Sequence, residues 1–133
     1  MQTKRVSKAI LYQDNKILLQ LRDNKPTIPN PNTWSLLGGQ VIPGETPELC
    51  IRREVIEEVN LYPYDFKLIT VRKRDEDNME VEEYIFCAKI YVEATDIATT
   101  EGQCVRLFSE EEIKELNLNP IYKEIIYSFL EQK

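Results

Sequence analysis

The 133-residue sequence contains no histidine. This absence excludes His-based general base catalysis, His-ligated zinc and every Ser-His-Asp arrangement. The three cysteines, Cys50, Cys87 and Cys104, are far apart and form no C-x-x-C pair, so we expect neither a disulfide framework nor a structural zinc site. Any catalysis must therefore use carboxylates, lysine, arginine, tyrosine, cysteine or a metal ion.

Long apolar runs are also absent, and none approaches the roughly 20 residues that a membrane-spanning helix needs. The N-terminal MQTKRVSKAILYQ starts basic and then alternates, without the apolar core or cleavage site of a signal peptide. The net charge of −6 does not suit binding to a nucleic-acid polymer or an anionic membrane. We therefore expect a cytoplasmic protein whose partner is a small ligand, which can be phosphorylated if a divalent cation screens the charge.

The residues that are present have the composition of a globular domain, with 42% hydrophobic and 30% charged residues. A chain of this length buries a single core, so we predict one domain over residues 1–133. The sequence leaves both a monomer and a homodimer open.

Strand patterns and helix patterns alternate along the chain, which predicts an α/β sandwich around a mixed β-sheet. The predicted strands cover residues 5–12, 16–22, 34–37, 40–42, 66–72, 81–92 and 103–108, with loops over 23–32, 74–80 and 94–100. The predicted helices are Pro47–Val59, a short one over 109–116, and a C-terminal one from Pro120 that points Ile121, Ile125, Phe129 and Leu130 inward.

The helix Pro47–Val59 carries Glu54, Glu57 and Glu58 on one face and an apolar stripe opposite, built from Ile51, Val55, Val59, Ile56 and Leu49. Glu54 and Glu58 are an i, i+4 pair of like charge, which costs roughly 0.2–0.5 kcal/mol without a counter-charge. Oxygen ligands at this spacing suit Mg2+ or Mn2+. The alternative interpretation is a solvated acidic helix face.

The residues before this helix favour a metal or phosphate site. Gly38 and Gly39 have no side chains, so their backbone carbonyls can approach a cation or a phosphate closely. Thr46 is a suitable N-cap with Pro47 at the first helical position, and Asn60 suits a left-handed C-cap.

At this point the sequence resembles the Nudix box, G-x5-E-x7-R-E-U-x-E-E-x-G-U, where U is a bulky aliphatic residue. Gly39, Glu45 and the run REVIEEVNL from Arg53 match its spacing, and Asn60 stands in place of the second glycine. Outside the box, the WSLLGG lead-in and the EGQ at 101–103 are similar to MutT-type members. The resemblance implies the Nudix-type α/β/α sandwich.

The resemblance also implies roles for individual residues. Glu54, Glu57 and Glu58 would bind Mg2+ or Mn2+, and Glu54 or a neighbour would help to activate the attacking water. The Gly38 carbonyl would be an additional metal ligand. Arg53 would orient a glutamate of the box, for which Glu45 is suitable.

Glu101 matches a downstream glutamate that serves MutT-like members as metal ligand or base, with an ordinary loop glutamate as the alternative interpretation. Two further departures from the family pattern occur, because Leu37 replaces a frequent proline and Ile42 a frequent glutamate. Neither removes a metal ligand of the box, so we expect an active enzyme.

The candidate substrate contacts are Arg22 for a phosphate, Trp34 or Tyr84 for stacking on a base, and the backbone at Gly39. For Trp34 a place in the core or pocket floor is the alternative. Tyr84 alternates with residue 85 in its strand, and the sequence leaves open which of the two faces the core.

These features predict a Mg2+-dependent Nudix hydrolase that cleaves the diphosphate linkage of a nucleoside diphosphate derivative. A (d)NTP or an oxidised dNTP such as 8-oxo-dGTP would yield NMP and pyrophosphate. A nucleotide-sugar or ADP-ribose pyrophosphatase remains open, and so does a Nudix module that senses a nucleotide without turnover.

Overall fold

The computed structural model describes residues 2–22, 33–93, 96–97 and 104–132. Its strands are β1 (Thr3–Gln13), β2 (Lys16–Leu21), β3 (Trp34–Ser35), β4 (Leu37–Gln40), β5 (Lys67–Glu76), β6 (Met79–Lys89), β7 (Asp96–Ile97) and β8 (Cys104–Ser109). Its helices are α1 (Pro47–Val59), α2 (Glu110–Lys114) and α3 (Pro120–Gln132). The predicted loop 23–32 and Glu101 lie outside the described residues.

The described strands form one mixed sheet with the order β5-β6-β1-β2-β8-β7. β1 and β6 pair in parallel, and every other pairing between two of the described strands is antiparallel. An isolated parallel bridge also joins Trp34 to Leu118. β1 pairs with β2 near Leu11 and with β4 nearer its N-terminus, where Lys8 lies opposite Gly38. This register brings the glycine pair against the middle of the sheet.

Helices cover both faces of the sheet, as the predicted α/β/α sandwich requires. On one face, α1 contributes Ile51 and Val55 to a core with Leu11 and Phe86. On the other face, α3 contributes Ile126 to a second core, whose further members include Ile10, Ile17, Ile85 and Phe108 from the strands. The two cores hold α1 and α3 at fixed positions relative to β1.

The acidic stretch 74–80 was expected to form a solvated hairpin loop; the hairpin is present, but the predicted length of its loop is wrong. β5 continues to Glu76 and β6 begins at Met79, so only two residues connect the strands. Asp77 and Asn78 both have positive φ, at 49° and 63°. Asp and Asn tolerate this conformation, which matches the twist of a tight hairpin.

Two other boundaries also differ from the predictions. The strand expected over 40–42 is instead β4, Leu37–Gln40, which runs through the glycines because they are hydrogen-bonded along β1. The short strand β7 lies within the predicted loop 94–100 and pairs with β8. The remaining strands agree with the predictions to within a few residues.

The inward faces of two helices also need correction. In α3, Ile121 is 45% exposed, while Tyr122 and Ile126 are buried. In α1, Leu49 and Ile56 are exposed although they were assigned to the apolar stripe. Neighbouring elements decide these positions, because α3 packs around Tyr122 and only the central part of the α1 stripe meets the sheet.

Candidate metal and substrate site

The helix α1 begins and ends as its sequence predicts. The Thr46 hydroxyl accepts a hydrogen bond from the Leu49 N–H at 3.1 Å, and Pro47 is the first helical residue. At the other end, Asn60 adopts the left-handed conformation with φ 56° and ψ 37°, and its N–H donates to the Ile56 carbonyl. These caps fix where the glutamates of the helix lie along its axis.

Arg53 connects α1 to the segment before it. Its Nε donates to Glu45 Oε2 at 2.7 Å and its Nη2 to Glu45 Oε1 at 3.1 Å. Its Nη1 lies 3.0 Å from Glu54 Oε1 and 3.4 Å from Glu57, and its Nη2 also reaches the Gln40 carbonyl at 3.2 Å. The predicted ion pair with Glu45 is present, and the contacts to Glu54 and Glu57 add to it.

The hydrogen bond from Arg53 lowers the pKa of Glu45 to about 2, from an ordinary value of 4.5. Glu45 also accepts a hydrogen bond from the Ile42 N–H at 3.1 Å. Glu45 is therefore charged throughout the physiological range and ties the turn at Pro43 to the helix.

The two glycines are required for different reasons. A Cβ on Gly39 would lie 2.3 Å from Glu54 Oε1, so the Glu54 carboxylate rests directly on the glycine backbone. A Cβ on Gly38 would lie 2.0 Å from the Ser7 carbonyl of β1, and Gly38 has a φ of +153°. Gly39 thus leaves room for a glutamate side chain, and Gly38 leaves room for a neighbouring strand.

The thiol of Cys50 packs between these groups. Cys50 is buried and its Sγ donates to the Gly39 carbonyl at 3.6 Å. Burial raises the pKa of Cys50 to about 11, so the thiol is neutral near pH 7. Cys50 is therefore a packing residue.

The carboxylate face of α1 is not a uniformly solvated surface. Glu58 is only 3% exposed and the Glu54 side chain 16%, whereas the Glu57 side chain is 53% exposed. Lys8 of β1 lies nearby: burial lowers its pKa, while the charges of Glu83, Glu58 and Glu54 act in the opposite direction. The interpretation of a bland acidic surface therefore fails for two of the three glutamates.

The residues present fit a hard divalent cation by donor chemistry. Glu54, Glu57 and Glu58 offer only oxygen atoms, and the side-chain-free backbone at Gly38 and Gly39 lies beside them. Within the described ranges, no three acidic or cysteine side chains already converge as a metal cluster. In those ranges Arg53 contacts both Glu54 and Glu57. A bound Mg2+ or Mn2+ would neutralise charge on phosphoryl oxygens.

A cleft with a volume of about 760 Å³ opens beside the glycines. Its walls include the glycine strand β4, alternate residues of β1 (Lys4, Val6 and Lys8), two arginines of β5 and the N-terminal end of α3. Among the described residues that line it, the basic ones are Lys4, Lys8, Arg22, Arg72 and Arg74, and the acidic one is Glu76. On a chain with a net charge of −6, this local excess of basic groups suits an anionic ligand.

Three of the four predicted substrate residues, Arg22, Trp34 and Gly39, line this cleft. Trp34 also packs edge-on against Phe108 with ring centroids 4.7 Å apart, so it belongs both to the cleft wall and to the core. Tyr84 lies elsewhere: it packs against the core on the α1 face, and its hydroxyl donates to Glu82 at 3.2 Å. Strand alternation explains the separation, since Glu83, its neighbour, points to the cleft side.

The most deeply buried charged residue in the described part of the chain, Glu83, was not predicted from the sequence. Glu83 of β6 is fully buried, accepts a hydrogen bond from Arg72 Nε at 2.5 Å, and accepts another from the Tyr122 hydroxyl at 2.6 Å. A glutamate in EVEEYIF resembles an ordinary solvent-facing residue. The only sequence signal is the alternation of Arg72 and Arg74 with Lys73 on the strand that becomes its neighbour.

The helices of the described residues are too short or too polar to cross a membrane. Glu101, predicted as a metal ligand or base, lies outside the described residues, so its role stays a prediction.

The fold is shared with several solved structures. The E. coli ORF135 protein is 22% identical, with a TM-score of 0.77, over 98% of this chain and 90% of that one. A MutT NUDIX hydrolase from Burkholderia pseudomallei is 20% identical, with a TM-score of 0.78, over 99% of this chain and 98% of that one. The MutT protein from Methanosarcina mazei Go1 is 20% identical, with a TM-score of 0.79, over 98% and 95%.

A family model for the NUDIX domain matches residues 2–129, almost the whole chain. The capped helix, the glycine pair and the Arg53–Glu45 ion pair described above all lie within that range. The chain therefore belongs to the Nudix hydrolase family.

Proposed function

We propose that this protein hydrolyses the diphosphate linkage of a nucleoside diphosphate derivative with Mg2+ or Mn2+. Nucleoside triphosphates, including an oxidised dNTP such as 8-oxo-dGTP, are the proposed substrates, with NMP and pyrophosphate as products. The observation that supports this most strongly is one cleft lined both by the Gly38–Gly39 backbone, against which Glu54 lies, and by a set of basic side chains.

Each side of the cleft has a separate task in this proposal. Lys8 and Arg22 bind the phosphate oxygens and reduce their charge, and the backbone at Gly39 lets the phosphates approach closely. Glu54, Glu57 and Glu58 would hold a divalent cation, which would supply further charge neutralisation when bound.

Proton transfer falls to the box glutamates in this proposal. As water attacks phosphorus, a carboxylate oxygen of Glu54 or its neighbour Glu57 accepts the proton, and the bond to the bridging oxygen breaks. Arg53 holds Glu54 through Nη1 at 3.0 Å and thereby limits its rotation. Glu101 remains a second proposed ligand or base.

The test is a hydrolysis panel with Mg2+ that contains dNTPs, oxidised dNTPs, NDP-sugars, ADP-ribose and dinucleoside polyphosphates, followed by phosphate and pyrophosphate release. We expect Glu54→Gln and Glu58→Gln to lower kcat by about 100-fold or more. Glu48→Gln is the matched control, because Glu48 lies on the same helix but pairs with Arg52 at the surface.

Three outcomes separate the candidate functions. Turnover of triphosphates that depends on Glu54 and Glu58 supports the proposal. Preferential turnover of NDP-sugars or ADP-ribose would replace the proposed substrate class. Nucleotide binding without any turnover would instead identify a sensing module, and turnover that persists in the Glu54 and Glu58 variants would contradict the catalytic assignment.

A further inference from the structure

The buried carboxylate of Glu83 is the starting point of a second inference. Burying a carboxylate is unfavourable unless positive charge and hydrogen bonds compensate. Arg72 and Tyr122 each give it one hydrogen bond, and Arg74 Nη2 lies 3.8 Å away. Burial, together with the Glu83 charge, raises the pKa of Tyr122, so its phenol keeps the proton that it donates.

Arg72 is held from two sides. Its Nε binds Glu83, and its guanidinium lies over the Tyr122 ring at 5.6 Å from the centroid. A guanidinium has five N–H groups, so the use of Nε leaves those on Nη1 and Nη2 for other acceptors. Arg72 lines the cleft, and its rigid fork is therefore presented to a ligand there.

The position of Arg72 indicates which part of a ligand it can reach. The register aligns Gln40 with Val6, Val6 with Glu83, and Glu83 with Arg72, across four adjacent strands. Three inter-strand spacings of about 4.8 Å place Arg72 roughly 14 Å from the glycine strand. The Arg72 guanidinium is bound to Glu83, which lies two spacings, roughly 10 Å, from the glycine strand. That separation is still longer than a diphosphate, so Arg72 faces the end of the ligand remote from the Glu54 side.

We infer that Arg72 binds a group with two adjacent hydrogen-bond acceptors at the nucleoside end of the substrate, and that Glu83 and Tyr122 are positioning residues for it. The edge of a nucleobase and an additional phosphate both offer such acceptors. This inference takes one assumption from the proposed function, namely that the ligand is a nucleotide. The competing explanation is that the network merely joins β5, β6 and α3.

Binding can be measured without hydrolysis. Trp34 is the only tryptophan of the chain and lines the cleft, so its fluorescence reports occupancy. GMP, CMP and ribose 5-phosphate are the probes, because none contains a diphosphate linkage and none is turned over. The two nucleotides present acceptor-rich base edges, whereas ribose 5-phosphate presents only the sugar and the phosphate.

The variants separate recognition from stability. Arg72→Gln alone removes the main counter-charge of Glu83 and is expected to lower Tm as well as binding. The double variant Arg72→Gln/Glu83→Gln leaves a neutral pair that can hydrogen-bond, so we expect its Tm to recover. Lys73→Gln is the control, since Lys73 is an exposed cation on the same strand that pairs with Glu82.

We expect the double variant to bind GMP or CMP at least about 10-fold more weakly than the unsubstituted protein, although its Tm has recovered. Lys73→Gln should bind within about twofold of the unsubstituted protein. A loss confined to the nucleotides assigns Arg72 to a base edge and supports the inference. An equal loss with ribose 5-phosphate would place Arg72 at the 5′-phosphate, which is not the nucleoside end, and would overturn the inference.

Recovery of binding together with Tm in the double variant would overturn the inference and leave a structural network. Failure of the unsubstituted protein to bind any probe would overturn it too. Arg72-dependent binding in a protein that hydrolyses nothing would contradict the proposed function alone, so the two ideas fail separately.

Discussion

Arg53 and Glu45 form a two-point ion pair, with Nε donating to Oε2 at 2.7 Å and Nη2 donating to Oε1 at 3.1 Å. The pair joins the middle of α1 to the turn that precedes it. The same guanidinium reaches Glu54 and Glu57. One arginine thus sets the positions of both the turn and two proposed metal ligands.

Replacing Arg53 with lysine should distinguish the effect of its planar, two-point contacts from the effect of its positive charge alone. A lysine keeps the positive charge but loses the planar fork, so it cannot hold Glu45 and Glu54 together. We expect Arg53→Lys to lower kcat by about 10- to 100-fold. Because the Arg53–Glu45 pair is partly exposed, the free energy of unfolding, measured in urea, should fall by only about 1 kcal/mol. Arg52→Lys, at the adjacent position facing the 61–65 segment, is the control and should retain its activity.

The pH dependence of stability should report the same pair. Because the folded-state pKa of Glu45 is lowered from 4.5 to about 2, its contribution is fully present above the ordinary value. It is lost as the pH falls from about 4.5 towards 2. The stability difference between the unsubstituted protein and Glu45→Gln should be constant from pH 5 to 8 and shrink below that range. A difference that grows on acidification would contradict the assigned ion pair.

Alanine at the two box glycines should produce different defects. Gly39→Ala meets only the end of the Glu54 side chain, so the protein should fold but lose activity as Glu54 is displaced. Gly38→Ala meets the backbone of Ser7 and should destabilise the fold by about 3 kcal/mol or more. Gly44→Ala has open space at a φ of +85°, so it should cost only about 1 kcal/mol. Thermal unfolding and kcat, measured on all three, distinguish these cases.

Substitutions at Asn60 test whether asparagine can replace the glycine that the Nudix box has at this position. It occupies the left-handed C-cap, where glycine is the usual residue, and its Oδ1 accepts a hydrogen bond from the Tyr62 hydroxyl. Asn60→Gly should leave kcat unchanged and shift stability by less than about 1 kcal/mol. Asn60→Ala should destabilise by about 1 kcal/mol, because alanine lacks the short polar side chain whose local hydrogen bonds let asparagine adopt the left-handed conformation. Equal stability of the two variants would argue against the strained cap.

Trp34 and Tyr84 were both expected to contact substrate, and the structure places them on different sides of the sheet. Trp34→Phe should raise KM by about threefold or more, since a smaller ring covers less of the cleft. Tyr84→Phe removes only the hydrogen bond to Glu82 and should leave KM unchanged. A larger KM effect at Tyr84 than at Trp34 would show that the ligand lies outside this cleft.

Local signals in the sequence predicted the helix α1 well. The limits and caps of α1 follow from Thr46, Pro47 and Asn60, which act on the backbone within a few residues of themselves. The position of β1 and the start of α3 at Pro120 were also predicted correctly from the sequence. The α/β/α arrangement followed from the order of these elements and from the Nudix box.

Predictions failed where a residue's environment depends on distant segments. In α3, the predicted residues Ile125, Phe129 and Leu130 do pack against the second core, but Ile121 is exposed. Tyr122 is buried there instead, and its partner Glu83 is 39 residues away. Glu58 became buried because β1 and β4 lie against that part of α1. Tyr84 was left open between two faces, since strand periodicity gives two alternatives but does not say which one a helix covers.

The sequence by itself determined the position, the caps and the donor chemistry of α1, because helix ends and box spacing depend on neighbours along the chain. Only the tertiary structure decided which charges share the cleft. Lys8, Arg72 and Glu83 lie on three strands, and the parallel pairing of β1 with β6 brings them together. Such pairing joins residues far apart in sequence, and the local pattern of either strand does not identify the partner in a buried ion pair such as Glu83–Arg72.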